Sequence, residues 1–190
     1  MTTYLGLDLG TSELKALLLR DDHTVLATVG APLEVQRPQP LWSEQQPADW
    51  WTACDRVMTQ LRAEHPQALA DVEAIGLSGQ MHGAVLMDAA GDVLRPAILW
   101  NDGRSAAQCE LLNQRVPSLP LVTGNLAMPG FTAPKLVWVH EHEPEVFAKT
   151  ARVLLPKDWL RWKLTGEAVS EMSDAAGTLC WTLHSGAGRV

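Results

Sequence analysis

The chain has 190 residues, of which 46% are hydrophobic, and this predicts one domain, or one large lobe of something bigger, with a real core. A formal net charge of −7 without basic blocks argues against nucleic acid or an anionic membrane surface as partner. Three widely spaced cysteines suggest neither a disulfide framework nor a Cys-x-x-Cys metal site, and they fit a reducing cytoplasm. The N-terminus has no basic patch and no apolar stretch long enough for a signal peptide or membrane span, so we expect a protein that is not exported.

The first ordered stretch predicts a strand, a tight turn and a second strand. Apolar and polar residues alternate over residues 5–10, the pattern of a strand with one buried face, and a second apolar run begins at Leu14. The turn between them contains Gly10, Thr11 and Ser12. Gly10 can take a positive φ and lets a ligand approach the backbone, while the hydroxyls and free N–H groups of Thr11 and Ser12 suit phosphate oxygens.

Asp8 lies near the end of this first strand, where a carboxylate could hold a metal ion or its waters against such phosphates. The same residues also fit an ordinary hairpin turn, because Asp, Gly and Thr favour turns for local reasons. Neither a Walker loop nor the dinucleotide Gly-x-Gly-x-x-Gly spacing occurs, which disfavours those two nucleotide-binding folds. The stretch alone leaves phosphate binding and a structural turn both open.

The next residues predict a third strand, an extended segment and a helix. Residues 24–29 read as a strand that completes an antiparallel meander. Four prolines between residues 32 and 47 mark an extended surface segment that ends at residues 41–45. Pro47 is expected to open an amphipathic helix, because apolar residues recur at three- and four-residue spacing over residues 50–61.

Residues 71–78 predict a buried strand that leads into a second segment with candidate ligand-binding side chains. That segment, Gly-Gln-Met-His-Gly at residues 79–83, places an amide, a thioether and an imidazole between two glycines. The backbone can bend sharply there, and the side chains can project into a cleft. A lone histidine is also commonly a satisfied structural residue, and Met81 alone fits a core gap filler.

A short strand at residues 97–100 precedes a predicted helix at residues 105–116. Asn101 and Asp102 at the helix entry favour an N-cap, with Arg104 pairing locally. A hydrogen-bonding edge for a polyhydroxylated ligand is the alternative interpretation of these three residues.

The C-terminal part predicts an irregular loop followed by more alternating elements. Residues 123–132 form a loop long enough to cover a site, and a helix starts at Ala133. A strand at residues 153–156 leads into a helix at residues 157–166, with glycine at its C-terminal end.

Polar residues near the end of the chain have structural as well as chemical interpretations. His140 and His142 are two residues apart on a helix and point to different sides, which favours solvated surface over a metal pair. Acid, hydroxyl and glycine residues at 171–178 fit either a ligand site or a turn in which Asp174 satisfies nearby N–H groups. No closing element is predicted at residues 185–190.

Six segments of the chain resemble those of one enzyme family. They are Asp8-Leu9-Gly10-Thr11-Ser12, Trp42-Ser43-Glu44-Gln45, Gly79-Gln80-Met81-His82-Gly83, Trp100-Asn101-Asp102-Gly103-Arg104, Leu155-Pro156-Lys157-Asp158-Trp159-Leu160 and Ser173-Asp174-Ala175-Ala176-Gly177-Thr178. Their order and rough spacing resemble the N-terminal lobe of the FGGY carbohydrate kinase family, and within it the bacterial xylulokinases. The resemblance covers essentially the whole chain. Its most discriminating piece is the segment at residues 79–83, where glycerol kinases differ.

The resemblance implies an α/β fold, specifically a ribonuclease-H-like (actin-like ATPase) lobe with a mixed sheet and helices on both faces. It implies ATP-dependent phosphorylation of D-xylulose at its 5-hydroxyl, with ATP and Mg²⁺ as cofactors. The residues that match the family's motifs are Asp8 as the catalytic and metal-binding aspartate, Gly10, Thr11 and Ser12 as the phosphate loop, and Gln80, Met81 and His82 as the sugar-binding residues.

The resemblance also implies that parts of the enzyme lie elsewhere. In the family the general base is an aspartate in a Gly-x-x-Asp segment downstream of everything here, and the adenine site lies on a second lobe. We therefore expect residues 1–190 to be an N-terminal lobe, truncated before its end and inactive alone, whose partners are the sugar and the missing C-terminal lobe. Self-association is left open. The alternatives are a lobe of another pentulose or polyol kinase, and an actin-like ATPase lobe without sugar chemistry.

Overall fold

The structure is a computed structural model that describes residues 2–180, so the predicted absence of a closing element at residues 185–190 lies outside the described residues. The described residues form two compact units, residues 2–35 with 48–80 and residues 36–47 with 81–180. In chain order the elements are β1 (Thr3–Leu9), β2 (Glu13–Arg20), β3 (Val25–Pro32), β4 (Glu44–Gln45), α1 (Pro47–Glu64), α2 (Pro66–Ala70), β5 (Val72–Gly79), β6 (Val85–Met87), β7 (Ala97–Ile98), α3 (Ala106–Arg115), α4 (Leu119–Thr123), α5 (Thr132–His142), α6 (Pro144–Lys149), β8 (Arg152–Leu154), α7 (Pro156–Thr165), α8 (Met172–Ala175) and a 3₁₀ turn (Ala176–Thr178).

The first unit contains a four-stranded mixed sheet in the order β3-β2-β1-β5. The β1–β2 and β2–β3 pairs are antiparallel, which confirms the predicted meander, and β5 pairs parallel to β1. Leu5, Leu7 and Leu9 are all buried while Asp8 between them is exposed, as the period-two pattern predicts. Pro32 ends the edge strand β3, a position where a missing N–H group is tolerated.

Helix α1 begins at Pro47, as predicted. Its fully buried stripe consists of Trp50, Cys54, Val57 and Leu61, spaced three and four residues apart along one side of the helix. The buried side chains of β1 and β2 belong to the same unit, so strand and helix periodicity together account for its core.

Strand β5 differs from the prediction of a buried strand. It is the edge strand of the sheet next to β1, most of its residues are exposed, and Ile75 retains 49% of its surface. An apolar run predicts the strand correctly, but burial depends on neighbours that the run itself does not specify. The outer edge of β5 is left without a neighbouring strand among residues 2–180.

The second unit contains two short antiparallel pairs, β4 with β7 and β6 with β8. Their side chains help to form a buried cluster of Ala84, Leu86, Ile98, Trp138 and Val139. The end of the extended segment, predicted to lie on the surface, is instead buried at residues 43–45, because Glu44 and Gln45 pair with β7.

The helices of the second unit follow the predicted boundaries closely. Helix α3 lies within one residue of the prediction at each end, and α5 begins one residue before Ala133. Helix α7 ends at Gly166, whose φ of 77° is the left-handed conformation expected of a C-terminal glycine. The five-residue helices α2 and α4 are not predicted, because they are too short to show a period. Over the described part of the chain, no helix has the length and apolar character that crossing a membrane requires.

Candidate functional site

The turn between β1 and β2 is built on a close backbone approach at Gly10. The Gly10 N–H donates to the Glu13 carbonyl at 3.0 Å, and a Cβ atom at residue 10 would lie 2.9 Å from that same oxygen. Gly10 does not use the positive φ that glycine allows. Glycine is required here because the two strands come together too closely for a side chain.

Thr11 and Ser12 are fixed by bonds that reach to other parts of the first unit. The Thr11 hydroxyl donates to Gln80 Oε1 at 3.1 Å, and the Ser12 carbonyl accepts from the Leu33 N–H at 2.8 Å. Gln80 is only 8% exposed, and its backbone N–H donates to the Leu9 carbonyl at 2.7 Å. Gln80, predicted as a sugar ligand, therefore supports the turn that contains Thr11.

Asp8 is exposed at the end of β1, where its Oδ1 accepts from the Ser78 hydroxyl at 2.7 Å. Ser78 lies directly opposite Asp8 in the parallel β1–β5 register. Residues 2–180 contain no group of three or more His, Cys, Asp or Glu residues that could cage a metal, and His140 and His142 are exposed, as predicted. Mg²⁺ at phosphate sites keeps several waters and takes one or two carboxylates, so a single oriented aspartate fits that kind of site.

Met81, His82 and Gly83 form a tight turn in the second unit. The Gly83 N–H donates to the Met81 carbonyl at 2.8 Å, and His82 between them has a φ of 63°. This left-handed conformation is uncommon for a residue with a side chain and must be held by its surroundings. Met81 is 53% exposed, whereas Gly83 lies so close to Pro156 that a Cβ atom would come within 2.5 Å of its ring.

The His82 imidazole lies in a slot formed by its neighbours. Its ring meets the Phe131 ring edge to face, with the centroids 4.7 Å apart and the planes at 79°. A Cβ atom at residue 177 would overlap His82 Nε2, so Gly177 leaves the space that the ring occupies. Burial, together with the nearby Lys135 ammonium, lowers the pKa of His82 to about 4, although a hydrogen bond with the Gly130 carbonyl acts in the opposite direction. The ring is therefore neutral at pH 7 and has one donor and one acceptor nitrogen.

Lys135 holds the backbone of the same turn. Its Nζ donates to the His82 carbonyl at 2.7 Å and to the Gly130 carbonyl at 2.8 Å, and the Thr132 hydroxyl donates to the His82 carbonyl at 3.1 Å. Lys135 is 0% exposed, and burial lowers its pKa to about 7, although the Asp102 carboxylate acts in the opposite direction. The sequence predicts Lys135 only as part of a helix start. A lysine among the apolar residues of this helix was the available signal.

Asp102 and Arg104 belong to a buried charge network. The predicted N-cap is wrong, because α3 starts after Ser105 without a side-chain cap, and Asp102 instead accepts from the N–H groups of Ser43 and Arg104 at 2.6 and 2.9 Å. The predicted local pairing is confirmed, since the Arg104 guanidinium binds both Asp102 oxygens at 2.9 and 2.7 Å. The guanidinium also lies 2.7 Å from Glu44 and 3.6 Å from the Trp42 ring centroid. Both Asp102 oxygens are thus engaged in joining two segments of the second unit.

A second charged cluster surrounds Lys157. Its Nζ lies 2.6 Å from Asp158 and 3.1 Å from Asp174. Asp174 does not satisfy nearby N–H groups, contrary to the prediction, because Glu171 accepts from the N–H groups of Ser173 and Asp174 and caps α8. The hydrogen bonds from Ser173 lower the pKa of Glu171 to about 2.

A cavity of about 290 Å³ lies elsewhere in the second unit. Its lining is mainly apolar and includes Leu136, Val153 and Leu155, with Asp158 among the few charged groups. None of the residues predicted to bind sugar or phosphate lines it. Sugars require many hydrogen-bonding partners, so this cavity is a poor match for a sugar site.

A family model described as the N-terminal domain of the FGGY family of carbohydrate kinases matches residues 3–187. The chain belongs to the FGGY family of carbohydrate kinases. Among curated relatives of this FGGY chain, the xylulose kinase of Escherichia coli strain K12 is 58% identical over 176 residues, which are 93% of this chain and 36% of that protein. The xylulose kinase of Klebsiella pneumoniae is 55% identical with the same coverage. The chain thus spans little more than a third of the length of these relatives.

Solved structures of FGGY kinases share the fold. The crystal structure of a xyloylose kinase from Brucella ovis has a TM-score of 0.92 and 53% identity, and it matches 94% of this chain over 37% of its own. A glycerol kinase from Plasmodium falciparum, solved with ADP, has a TM-score of 0.86 at 19% identity, which shows likeness of fold alone. The predicted fold class, an actin-like α/β lobe with a mixed sheet, is confirmed, as is the predicted family.

Proposed function

We propose that this chain is the N-terminal, sugar-binding lobe of an ATP-dependent xylulokinase that converts D-xylulose to D-xylulose 5-phosphate. The observation that carries the proposal is the 58% identity to a xylulose kinase across 93% of the chain. Because the chain spans 36% of that relative, we propose that the general base and the adenine site belong to further polypeptide and that residues 1–190 do not turn over alone.

In this proposal the turn between β1 and β2, at residues 10–12, binds the phosphate groups of ATP. The Ser12 N–H and hydroxyl receive phosphate oxygens, and the missing side chain of Gly10 lets those oxygens approach the backbone. The bond from Thr11 to Gln80 keeps the turn in place before the ligand arrives. Asp8, oriented by Ser78, is the group that would hold Mg²⁺. Bound there, Mg²⁺ would neutralise charge on the phosphate groups, and the residues of the turn would supply positioning, the main source of catalysis in phosphoryl transfer.

In the same proposal the turn at residues 81–83 binds the sugar. The one N–H of the neutral His82 imidazole is donated to the Gly130 carbonyl, so its other nitrogen can accept from a sugar hydroxyl, which a charged imidazolium cannot do. Met81 beside it is exposed and offers an apolar surface to the carbon skeleton. Gln80 contributes through Thr11 of the phosphate turn.

Kinase family membership implies ATP as the phosphoryl donor. The cytoplasm is the compartment that we propose. In support, the cysteines Cys54, Cys109 and Cys180 are all free thiols, which persist in a reducing environment.

Ligand binding to the purified 190-residue chain tests the proposal. Calorimetry and thermal unfolding are measured with D-xylulose, D-ribulose and glycerol, using the unaltered chain, His82→Ala and Asp8→Asn. We expect D-xylulose to bind most tightly, His82→Ala to weaken it at least tenfold, and Asp8→Asn to leave it unchanged. Tighter binding of glycerol or D-ribulose would indicate another polyol or pentulose kinase, and no sugar effect at all would indicate an ATPase lobe without sugar chemistry.

A separate measurement tests whether the chain needs further polypeptide. ADP release is followed with ATP, Mg²⁺ and D-xylulose present. We expect no release above the rate without sugar, since the proposed base lies on other residues. Release that depends on D-xylulose would contradict this part of the proposal.

A further inference from the structure

Lys135 is a fully buried lysine whose Nζ donates two hydrogen bonds to backbone carbonyls around the His82 ring. Its Nζ bonds the carbonyls of His82 and Gly130, at 2.7 and 2.8 Å. A methionine would fill a similar volume without the cost of burying an ammonium group. General packing of α5 therefore does not explain why a lysine occupies this position.

The two carbonyls that Lys135 binds control where the His82 ring points. The first belongs to His82 itself, at the centre of the left-handed turn with a φ of 63°. The second, of Gly130, is also the hydrogen-bond partner of the His82 ring. Phe131, next along the chain, packs edge to face against the same ring. Lys135 Nζ thus connects the His82 backbone carbonyl to the Gly130 carbonyl, which is the hydrogen-bond acceptor for the His82 imidazole.

The identity of residue 130 fits this arrangement. A Cβ atom there would lie 2.8 Å from the Trp100 carbonyl, so glycine lets the chain approach closely enough to present its carbonyl to Lys135. The Thr132 hydroxyl adds a second donor to the His82 carbonyl. Residues 130–135 therefore hold the backbone of the His82 turn, through the donors of Thr132 and Lys135.

We propose that Lys135 is a positioning residue for sugar recognition, which fixes the left-handed turn at His82 and thereby aims the imidazole at the sugar. The sugar itself rests on the proposed function, whereas the orientation of His82 does not. Lys135 reaches the ligand only through His82. Its effect on affinity must therefore disappear when the imidazole is absent.

The first test measures the orientation of His82 without any sugar. Nuclear Overhauser contacts between the His82 and Phe131 rings are recorded for the purified chain and for Lys135→Met, with His82→Gln to assign the resonances. We expect Lys135→Met to lose these contacts while circular dichroism stays native. Lys149→Met, which removes an exposed lysine, is the matched control and should retain them. Contacts that persist in Lys135→Met would overturn the proposal, whether or not the chain binds sugar.

The second test is a double-mutant cycle for D-xylulose affinity, measured by calorimetry. We expect Lys135→Met to weaken binding at least tenfold in the unaltered chain and less than twofold in the His82→Ala background. A tenfold loss in both backgrounds would overturn the proposal, because Lys135 would then act independently of His82. No loss in either background would overturn it as well. A chain that binds no D-xylulose would instead count against the proposed function, and the ring contacts would still decide the role of Lys135.

Thr132→Val covers the case in which Lys135→Met does not fold. It removes one donor to the His82 carbonyl and keeps the side-chain volume, so we expect about a threefold loss of affinity and weaker ring contacts. Thr123→Val is the control, because Thr123 is a similarly buried threonine of the second unit that bonds to the backbone at Leu119. Equal affinities and equal ring contacts in these two variants would overturn the proposal.

Discussion

Replacement of Arg104 by methionine removes a buried guanidinium with three kinds of partner. The Arg104 side chain is 1% exposed and binds Asp102 through two nitrogens, at 2.9 and 2.7 Å. A third nitrogen lies 2.7 Å from Glu44 Oε1, and the guanidinium carbon lies 3.6 Å above the Trp42 ring. We expect Arg104→Met to lower the free energy of unfolding of the second unit substantially.

The structure also sets the size of that loss. Breaking a buried ion pair costs about 3–5 kcal/mol, because the remaining charge is left without its partner. Here each carboxylate keeps other donors: Asp102 retains the Ser43 N–H at 2.6 Å, and Glu44 retains Arg95 at 2.6 Å. Loss of the cation–π contact adds about 1 kcal/mol. We therefore expect a total near the low end of the range, about 3 kcal/mol.

Urea unfolding followed by circular dichroism measures the effect, with an exposed ion pair as control. Arg161 lies 3.3 Å from Glu167, and their side chains are 33% and 70% exposed, so Arg161→Met should cost less than about 1 kcal/mol. Arg104→Lys keeps the charge but not the two parallel bonds, and it should lie between the two. A loss in Arg104→Met no larger than in Arg161→Met would refute the reasoning.

Two further predictions concern the His82 slot. The folded-state pKa of His82, about 4, lies below its ordinary value of 6.5, so between these values the unfolded chain binds more protons. The free energy of unfolding should therefore fall as the pH drops from 6.5 to 4, by less than the full shift would give, because the ring is only half-buried. The free energy of unfolding, measured with urea at pH 7, 5.5 and 4, should fall less steeply for His82→Gln than for the unaltered chain. Equal slopes would contradict the lowered pKa of His82. Gly177→Ala should displace the ring and weaken D-xylulose binding at least tenfold by calorimetry, because the added Cβ overlaps His82 Nε2. Gly76→Ala is the control, because a Cβ there meets nothing within 4 Å, and it should bind D-xylulose like the unaltered chain. Equal affinities of Gly177→Ala and Gly76→Ala would contradict the idea that Gly177 makes room for the His82 ring.

Elements with a clear local period could be predicted from the sequence. The leucines of β1 are buried on alternate positions, and the buried stripe of α1 follows the helical period from Trp50 to Leu61. Gly166 ends α7 for an equally local reason, since its left-handed conformation favours glycine. In each case the residues that determine the structure are neighbours along the chain.

Burial and long-range bonding could not be predicted in the same way. Strand β5 has an apolar sequence but lies at the sheet edge, while Glu44 and Gln45 look like exposed linker residues but are buried through pairing with β7. Lys135 bonds to His82, 53 residues away. No spacing within either segment shows that contact, because the fold alone brings the two residues together.

The segments that resemble the FGGY family divide into two physical kinds. At residues 8–12 and 79–83, the structure leaves Asp8, Ser12 and Met81 exposed on turns whose backbones are held by other residues. At residues 42–45 and 100–104, the charged groups are buried and bonded to one another, so little of their bonding capacity remains for a ligand. Motif resemblance alone does not separate these kinds, because stability and ligand binding both restrict which residues a position accepts. Burial and charge pairing do separate them: both favour a stabilising role for the Arg104 network and leave the two turns as the candidates for ligand binding.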